Sequence, residues 1–121
     1  MGVIRLRGVR AYGRHGANPG ERERRQLIEI DVIAELDLHA AQDSDDLSQT
    51  LDYDALHARI VRIVSVTSFA LLERLGGEIL DAIFNDDRVV RATVTLSKPQ
   101  ILAGATPSVT LAQTNPRRVP E

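Results

Sequence analysis

A chain of 121 residues is long enough for one domain with its own core and too short for two. A formal net charge of −2, with 43% hydrophobic and 26% charged residues, is ordinary for a soluble globular protein and argues against general affinity for nucleic acid or anionic membranes. The absence of cysteine excludes disulfides and thiol catalysis and removes the soft ligands of most structural zinc sites. No apolar run approaches the roughly twenty residues of a membrane span, and the N-terminus lacks the apolar core of a signal peptide. One cytoplasmic domain over residues 1–121 is therefore expected, with an ordered core over about 3–112 and a frayed tail over 113–121.

Residues 3–11, VIRLRGVRA, alternate, with Ile4 and Leu6 on one face and Arg5 and Arg7 on the other, as a half-buried strand does. Gly8 interrupts the alternation, and Val9 and Ala11 resume the apolar phase one residue late, which predicts a bulge. Residues 12–25, YGRHGANPGERERR, hold three Gly, one Pro and one Asn and read as a loop. Residues 27–38 form the clearest strand: Ile28, Ile30, Val32, Ala34, Leu36 and Leu38 share a face, opposite Glu29, Asp31, Glu35 and Asp37. The acidic stretch AQDSDDLSQT reads as a connection; Asp43, Asp45 and Asp46 lack the Gly and terminal Glu of a calcium loop. Tyr53, Leu56, Ile60, Ile63 or Val64, and Thr67 keep helical spacing from about Asp52. Ser68 is placed to cap a second helix whose apolar face is Leu71 or Leu72, Leu75, Ile79, Leu80 and Ile83. Gly76 and Gly77 inside it cost about 1 kcal/mol each, so close packing is expected there. Residues 89–97 alternate again, and a last short strand carries Val109 and Leu111.

The order β-β-α-α-β-β predicts an α+β fold, an antiparallel sheet with both helices on one face. Such a sheet has two open edges, a liability that closure into a ring or barrel of several copies would remove.

One residue stands out by rarity: the chain has fourteen Arg and a single Lys, Lys98. Arginine is a permanent cation, whereas lysine can exchange protons near neutral pH. Alternation puts Lys98 on the face of Val94 and Leu96, and Pro99 stops the ladder beside it, so Lys98 should point into a pocket. Taken singly, Lys98 also fits a surface lysine, Tyr53 a core residue, and Glu73 an exposed partner of Arg74 or of a neighbouring chain. His15, His39 and His57 share no short spacing, so no metal site is indicated, and His15 reads either as a pocket residue or as a loop histidine bonded to backbone. No nucleotide-binding or nucleophile-elbow motif is present.

Four stretches, YGRHGANPGERERRQ, DSDDLSQTLDY, FALLERLGGEI and VTLSKPQ, resemble in order and spacing the motifs of the dihydroneopterin aldolases of folate biosynthesis, over about residues 3–112. The resemblance implies the tunnelling fold, or T-fold, and a homo-oligomer, a tetrameric ring stacked to an octamer, with sites between subunits. It implies a lyase reaction on a pterin without metal, cofactor or Schiff base. Glu73 would anchor the pterin with backbone at Leu72 and Leu51. Lys98 would transfer protons, Tyr53 of a neighbouring subunit would stack and relay, and Glu21 would bind the substrate hydroxyls or a water beside Lys98. His15 and Gln26 would stand behind them. Two readings compete: an epimerase of dihydroneopterin triphosphate, with Arg14, Arg22, Arg24 and Arg25 as phosphate ligands, and a silent pterin-binding oligomer. After KP the sequence QILAGATPSV departs from the family's Pro-rich stretch, and the arginine expected at the end of the last strand is absent.

Overall fold

Alternation, broken at Ile33, builds the centre of the sheet. In the computed structural model, which describes residues 1–118, strand β2 (Gln26–Leu36) buries Ile28, Ile30, Val32, Ala34 and Leu36 on one face. It pairs antiparallel with β1 (Gly2–Gly13) on one side and β3 (Val89–Ser97) on the other, and β4 (Ser108–Thr114) completes the order β1-β2-β3-β4. The register passes from Leu6↔Val32 to Val9↔Ile30, so β1 carries one extra residue there. Gly8 supplies it, with φ of 69°, a left-handed value glycine adopts without strain, and its N–H donates to Asp31 Oδ1 at 2.7 Å. The bulge lets both halves of β1 face the same core, as the shifted phase predicts.

β2 ends at Leu36, two residues short of the expected boundary. The Asp37 carboxylate accepts the His39 N–H at 2.9 Å and opens a short helix α1 (His39–Ser44) inside the acidic connection. The acidic residues are used locally: Asp43 faces His39, and Asp46 accepts the Ser48 N–H to start a single 3-10 turn, Leu47–Gln49. Helix α2 (Tyr53–Val66) begins with the Asp52 carboxylate accepting the Ala55 N–H at 3.1 Å. It buries Leu56, Ile60 and Val64, one per turn, while Tyr53, on the same face but at the first residue of the helix, is 55% exposed.

Helix α3 (Leu72–Ile83) starts four residues after Ser68 and has no side-chain cap. The Ser68 hydroxyl instead donates to the Arg14 carbonyl at 2.7 Å, so a tertiary bond outcompetes the local cap. Leu75, Ile79 and Ile83 are fully buried. At about 1.5–3 kcal/mol each, their burial outweighs the two internal glycines. Gly76 does allow close packing, since a Cβ there would lie 2.7 Å from Leu111 Cδ1 and 3.0 Å from Leu96 Cδ1. Gly77 meets nothing within 4 Å. Both long helices lie on one face of the sheet, α2 against β1 and α3 against β3 and β4. The opposite face is polar, with Arg10–Glu29 at 3.0 Å and Arg91–Glu35 at 3.5 Å across neighbouring strands.

The tail is shorter than expected. β4 reaches Thr114, and Asn115 is buried, bonding through both its nitrogens to the carbonyls of Val89 and Val90. Arg117 reaches Asn85, and Arg118 donates to the Asp87 carbonyl. These bonds fasten the chain to the α3–β3 turn through residue 118; residues 119–121 of the expected tail lie outside the described residues.

Gly13, at the end of β1, needs to be glycine for space, because an added Cβ would overlap the backbone carbonyl oxygen of Val64 in α2. Gly13→Ala is expected to lower the unfolding free energy by about 1–3 kcal/mol, the usual cost of overpacking, while Gly77→Ala raises it by up to about 1 kcal/mol through helix propensity. Urea midpoints read both; a Gly13→Ala protein as stable as the parent would mean that β1 and α2 do not meet there.

Candidate active site

The end of β1 lies against the last turn of α2, and the loop that follows it is sewn to the α2–α3 connection. Ser68 Oγ donates to the Arg14 carbonyl, the Gly16 N–H to the Phe69 carbonyl at 3.0 Å, and the Phe69 N–H to His15 Nδ1 at 3.0 Å. His15 Nε2 lies 3.0 Å from the Val64 carbonyl oxygen. The ring is therefore bonded to backbone on both sides and fully buried, as one of its two sequence readings expects. Burial first, then the charges of Lys98 and Arg22, hold its pKa below 6.5 against the opposing effect of the Val64 bond.

Lys98 follows β3 directly and points into this loop, 5% exposed. Its N–H donates to the Pro107 carbonyl at 3.1 Å, so the strand pairing holds up to the residue itself. The side-chain Nζ donates to the His15 carbonyl at 2.6 Å and to Glu21 Oε2 at 2.7 Å. Glu21 sits in a one-turn 3-10 helix, Glu21–Glu23, with 19% of its side chain exposed, and its Oε1 accepts the Asn18 N–H at 3.2 Å. The hydrogen bond from Lys98, followed by the backbone bond from Asn18, lowers the Glu21 carboxyl below 4.5. Gln26 Nε2 donates to the carbonyls of Glu21 (2.9 Å) and His15 (3.3 Å), fixing both partners of the lysine. An ammonium has three N–H groups. Two are used, and the third has no acceptor among the described residues.

His15, Glu21, Gln26 and Lys98 are thus brought together. Phe69 joins them, its ring centroid 5.7 Å from that of His15 and the Arg74 guanidinium 4.6 Å from its face. Sequence reasoning passed Phe69 over; its signal was scarcity, since the chain has two Phe and two Tyr. Glu73, in the first turn of α3, is exposed. Arg74 turns to Phe69 and Glu78 rather than to Glu73, whose carboxylate has no hydrogen bond among the described residues. Leu72, half-buried, packs on the core beside it.

Leu51 and Tyr53 lie elsewhere. Tyr53 begins α2, whereas the helix meets His15 at Val64, eleven residues or about 16 Å further along. Buried Leu51 and Asp52 line an open cleft of about 800 Å³ together with Arg59, Ile83 and Arg88. That cleft opens at the start of β3, roughly 30 Å of strand from Lys98. A smaller hollow of about 350 Å³, lined by Gly16, Asn18, Arg22 and Ala70 among others, adjoins Glu21. Among the described residues no three His, Asp or Glu side chains gather as a metal site requires, and no helix is long and apolar enough to cross a membrane.

Fold and cradle together define an α+β protein of the T-fold class, with a buried lysine–carboxylate pair at the end of its third strand. Solved structures of similar shape include a dihydroneopterin aldolase of Escherichia coli in complex with neopterin, at TM-score 0.88 and 24% identity over 93% of this chain and 99% of that one. Another is a putative dihydroneopterin aldolase of Vibrio cholerae, at TM-score 0.88 and 23% identity over 94% and 98%. In sequence, the probable dihydroneopterin aldolase of Synechocystis is 33% identical over 83% of this chain and 85% of its own, and that of Streptococcus pyogenes serotype M18 is 37% identical over 71% and 72%. The model of the dihydroneopterin aldolase family matches residues 4–113. The chain belongs to the dihydroneopterin aldolase family.

The lowered pKa of Glu21 sets a pH window for the cradle. A depressed carboxyl contributes stability that is fully present above its unfolded value, about 4.5, and is lost as pH falls through its folded value. The difference in unfolding free energy between the wild type and Glu21→Gln is expected to be constant from pH 7 to about 5 and to shrink below 4.5. Urea titrations across that range check it; a difference that grew on acidification would place the pair wrongly.

Proposed function

We propose that this chain is a lyase that splits 7,8-dihydroneopterin into 6-hydroxymethyl-7,8-dihydropterin and glycolaldehyde. The observation that carries this reading is the buried Lys98 ammonium, gripped on two sides with its third N–H unpaired among the described residues. Loss of the C2′ hydroxyl proton lets the C1′–C2′ bond break. The electron pair moves through C1′ and C6 onto N5, which takes up a proton, and C2′ leaves as the aldehyde carbon of glycolaldehyde. Return of a proton to C1′ and loss of one from N5 restores the C6=N5 double bond. The substrate thus contains its own electron sink, and the protein has to supply position and proton transfer.

Lys98 moves these protons, directly or through a water, taking the C2′ hydroxyl proton as the neutral amine and returning one as the ammonium, and Glu21 holds it and meets the substrate hydroxyls. The unpaired Glu73 carboxylate accepts the pterin 2-amino group and N3–H as a bidentate, charge-assisted pair, with backbone at Leu72 and the partner subunit's Leu51 flanking the ring. His15 and Gln26 stand behind Lys98 and Glu21. The partner subunit's Tyr53 stacks and relays a proton. The separation of Tyr53 from Lys98 along α2 supports this division between copies, because one subunit does not bring the two together. The open edges of β1 and β4 support closure between copies; the count, a ring of four stacked in pairs to eight, rests on the family resemblance. For the triphosphate epimerase no observation speaks: Arg14 and Arg22 donate to the carbonyls of Glu23 and Ser68.

Glycolaldehyde release from dihydroneopterin tests the activity, and its absence at any enzyme level would sink it. Lys98→Gln is expected to lower kcat by about 10²–10⁴-fold, the range of an acid–base group, with pterin affinity largely kept. Glu73→Gln should weaken pterin binding by about 10–100-fold, as loss of a charged hydrogen-bonding partner does. Refolding a mixture of the inactive Lys98→Gln and Tyr53→Ala chains should restore activity, because some interfaces then hold both residues intact. No recovery would place Tyr53 and Lys98 in the same subunit's site or outside it.

A further inference from the structure

His15 is fully buried beside the lysine, yet neither ring nitrogen is free for a substrate. Nδ1 accepts the Phe69 N–H, so it carries no proton, and Nε2 therefore donates to the Val64 carbonyl; the bonding assigns the neutral Nε2–H tautomer. The carbonyl of this residue receives Lys98 Nζ at 2.6 Å. The Gly16 N–H returns a bond to the Phe69 carbonyl, so residues 15–16 and 69 are paired in both directions. Ring and carbonyl belong to one residue, and what holds the ring sets where the carbonyl points.

We propose that His15 is a positioning residue for Lys98, whose neutral ring, clamped between α2 and the α2–α3 connection, fixes the carbonyl on which the ammonium rests, so that a proton on the ring disarms the site. This rests on the proton-transfer role proposed for Lys98. Protonation puts a second N–H on Nδ1, facing the Phe69 N–H across 3.0 Å, donor against donor. The bond breaks, the clamp opens, and the His15 carbonyl leaves its place under Nζ.

The charges around the ring act in the same direction. Lys98 faces it from the end of β3 and Arg22 from its own loop, both disfavouring a further positive charge. Glu21 is the one carboxylate in the cradle and is already bonded to Lys98. Arg74 lies beyond Phe69, on that ring's face. β2 contributes the neutral Gln26 and α2 the Val64 carbonyl. A folded pKa below 6.5 keeps the site armed at neutral pH. It makes the His15 contribution to stability full above 6.5 and lost as pH falls below it, because the unfolded chain takes up a proton that the folded chain resists.

The single lysine gives a readout independent of turnover, since acylation of Lys98 by an amine-reactive acetyl ester, followed by mass spectrometry of its peptide, reports how tightly Nζ is held. Two variants divide the question. His15→Leu removes both ring bonds; His15→Asn keeps an acceptor near the position of Nδ1 and has no proton to gain. In His15→Leu, kcat is expected to fall about 10–100-fold, the cost of displacing a catalytic group by about 1 Å, with KM little changed. Lys98 should acylate about tenfold faster at fixed pH, the equivalent of one lost hydrogen bond. His15→Asn should restore slow acylation and most of kcat, and its kcat should be flatter than that of the wild type as pH falls below 6.5. If His15→Leu does not fold, the acylation rate and pH profile of His15→Asn against wild type decide. Acylation unchanged in the variant that breaks the clamp, or an acid limb identical in His15→Asn and wild type, overturns the proposal. A Lys98→Gln protein with full turnover would instead overturn the role of Lys98, with the acylation result still standing for the clamp.

Discussion

A lysine ammonium withdrawn from water is costly unless its protons are matched by acceptors. At Lys98 that requirement shapes the surrounding chain. The acceptors are one carboxylate and one backbone carbonyl, both on the loop after β1 and neither on an element rigid by itself. Rigidity is imported. Gln26, the first residue of β2, bonds to both loop carbonyls, while α2 and the segment before α3 hold the His15 ring. The close approach at Gly13 that brings α2 within reach is part of the same arrangement. The lysine is therefore centred by groups from the loop after β1, β2, α2 and the α2–α3 connection, which is why it can be both buried and fixed.

The order in which the chain supplies these groups explains why so short a domain can build such a place. The loop after β1 and the α2–α3 connection lie at the same end of the molecule as the end of β3, because antiparallel neighbours and helices on one face return the chain there repeatedly. The opposite end, where α2 begins and β3 starts, carries Leu51, Tyr53 and the larger cleft. The domain is thus polarised into two ends, and α2 spans the distance between them.

How much of this the sequence revealed follows from the range of each interaction. Period-two alternation and the phase slip at Gly8 are local, so the strands and the bulge were legible, and so was the direction of Lys98. The helix-capping reading of Ser68 followed a sound local rule that a tertiary hydrogen bond to Arg14 overrode. The expected fraying after residue 112 failed for the same reason, since Asn115 finds its partners on β3. Glu73 and Tyr53 drew notice as single residues but took their roles from the resemblance, and Glu21 came from it alone, because no local pattern says which loop carboxylate will meet a lysine 77 positions away. Phe69 went unread because a ring between two helices looks like any core residue until its neighbours are known.

The bulge at Gly8 also bears on how this fold can change length. β1 is twelve residues long and must keep one face to the core on both sides of the extra residue. Anywhere else along β1, inserting or deleting one residue would turn half the strand inside out, setting arginines against the helices. At Gly8 the surplus already exists, held off the ladder by Asp31. It is the joint at which this strand can gain or lose a residue while the loop that grips Lys98 stays in register.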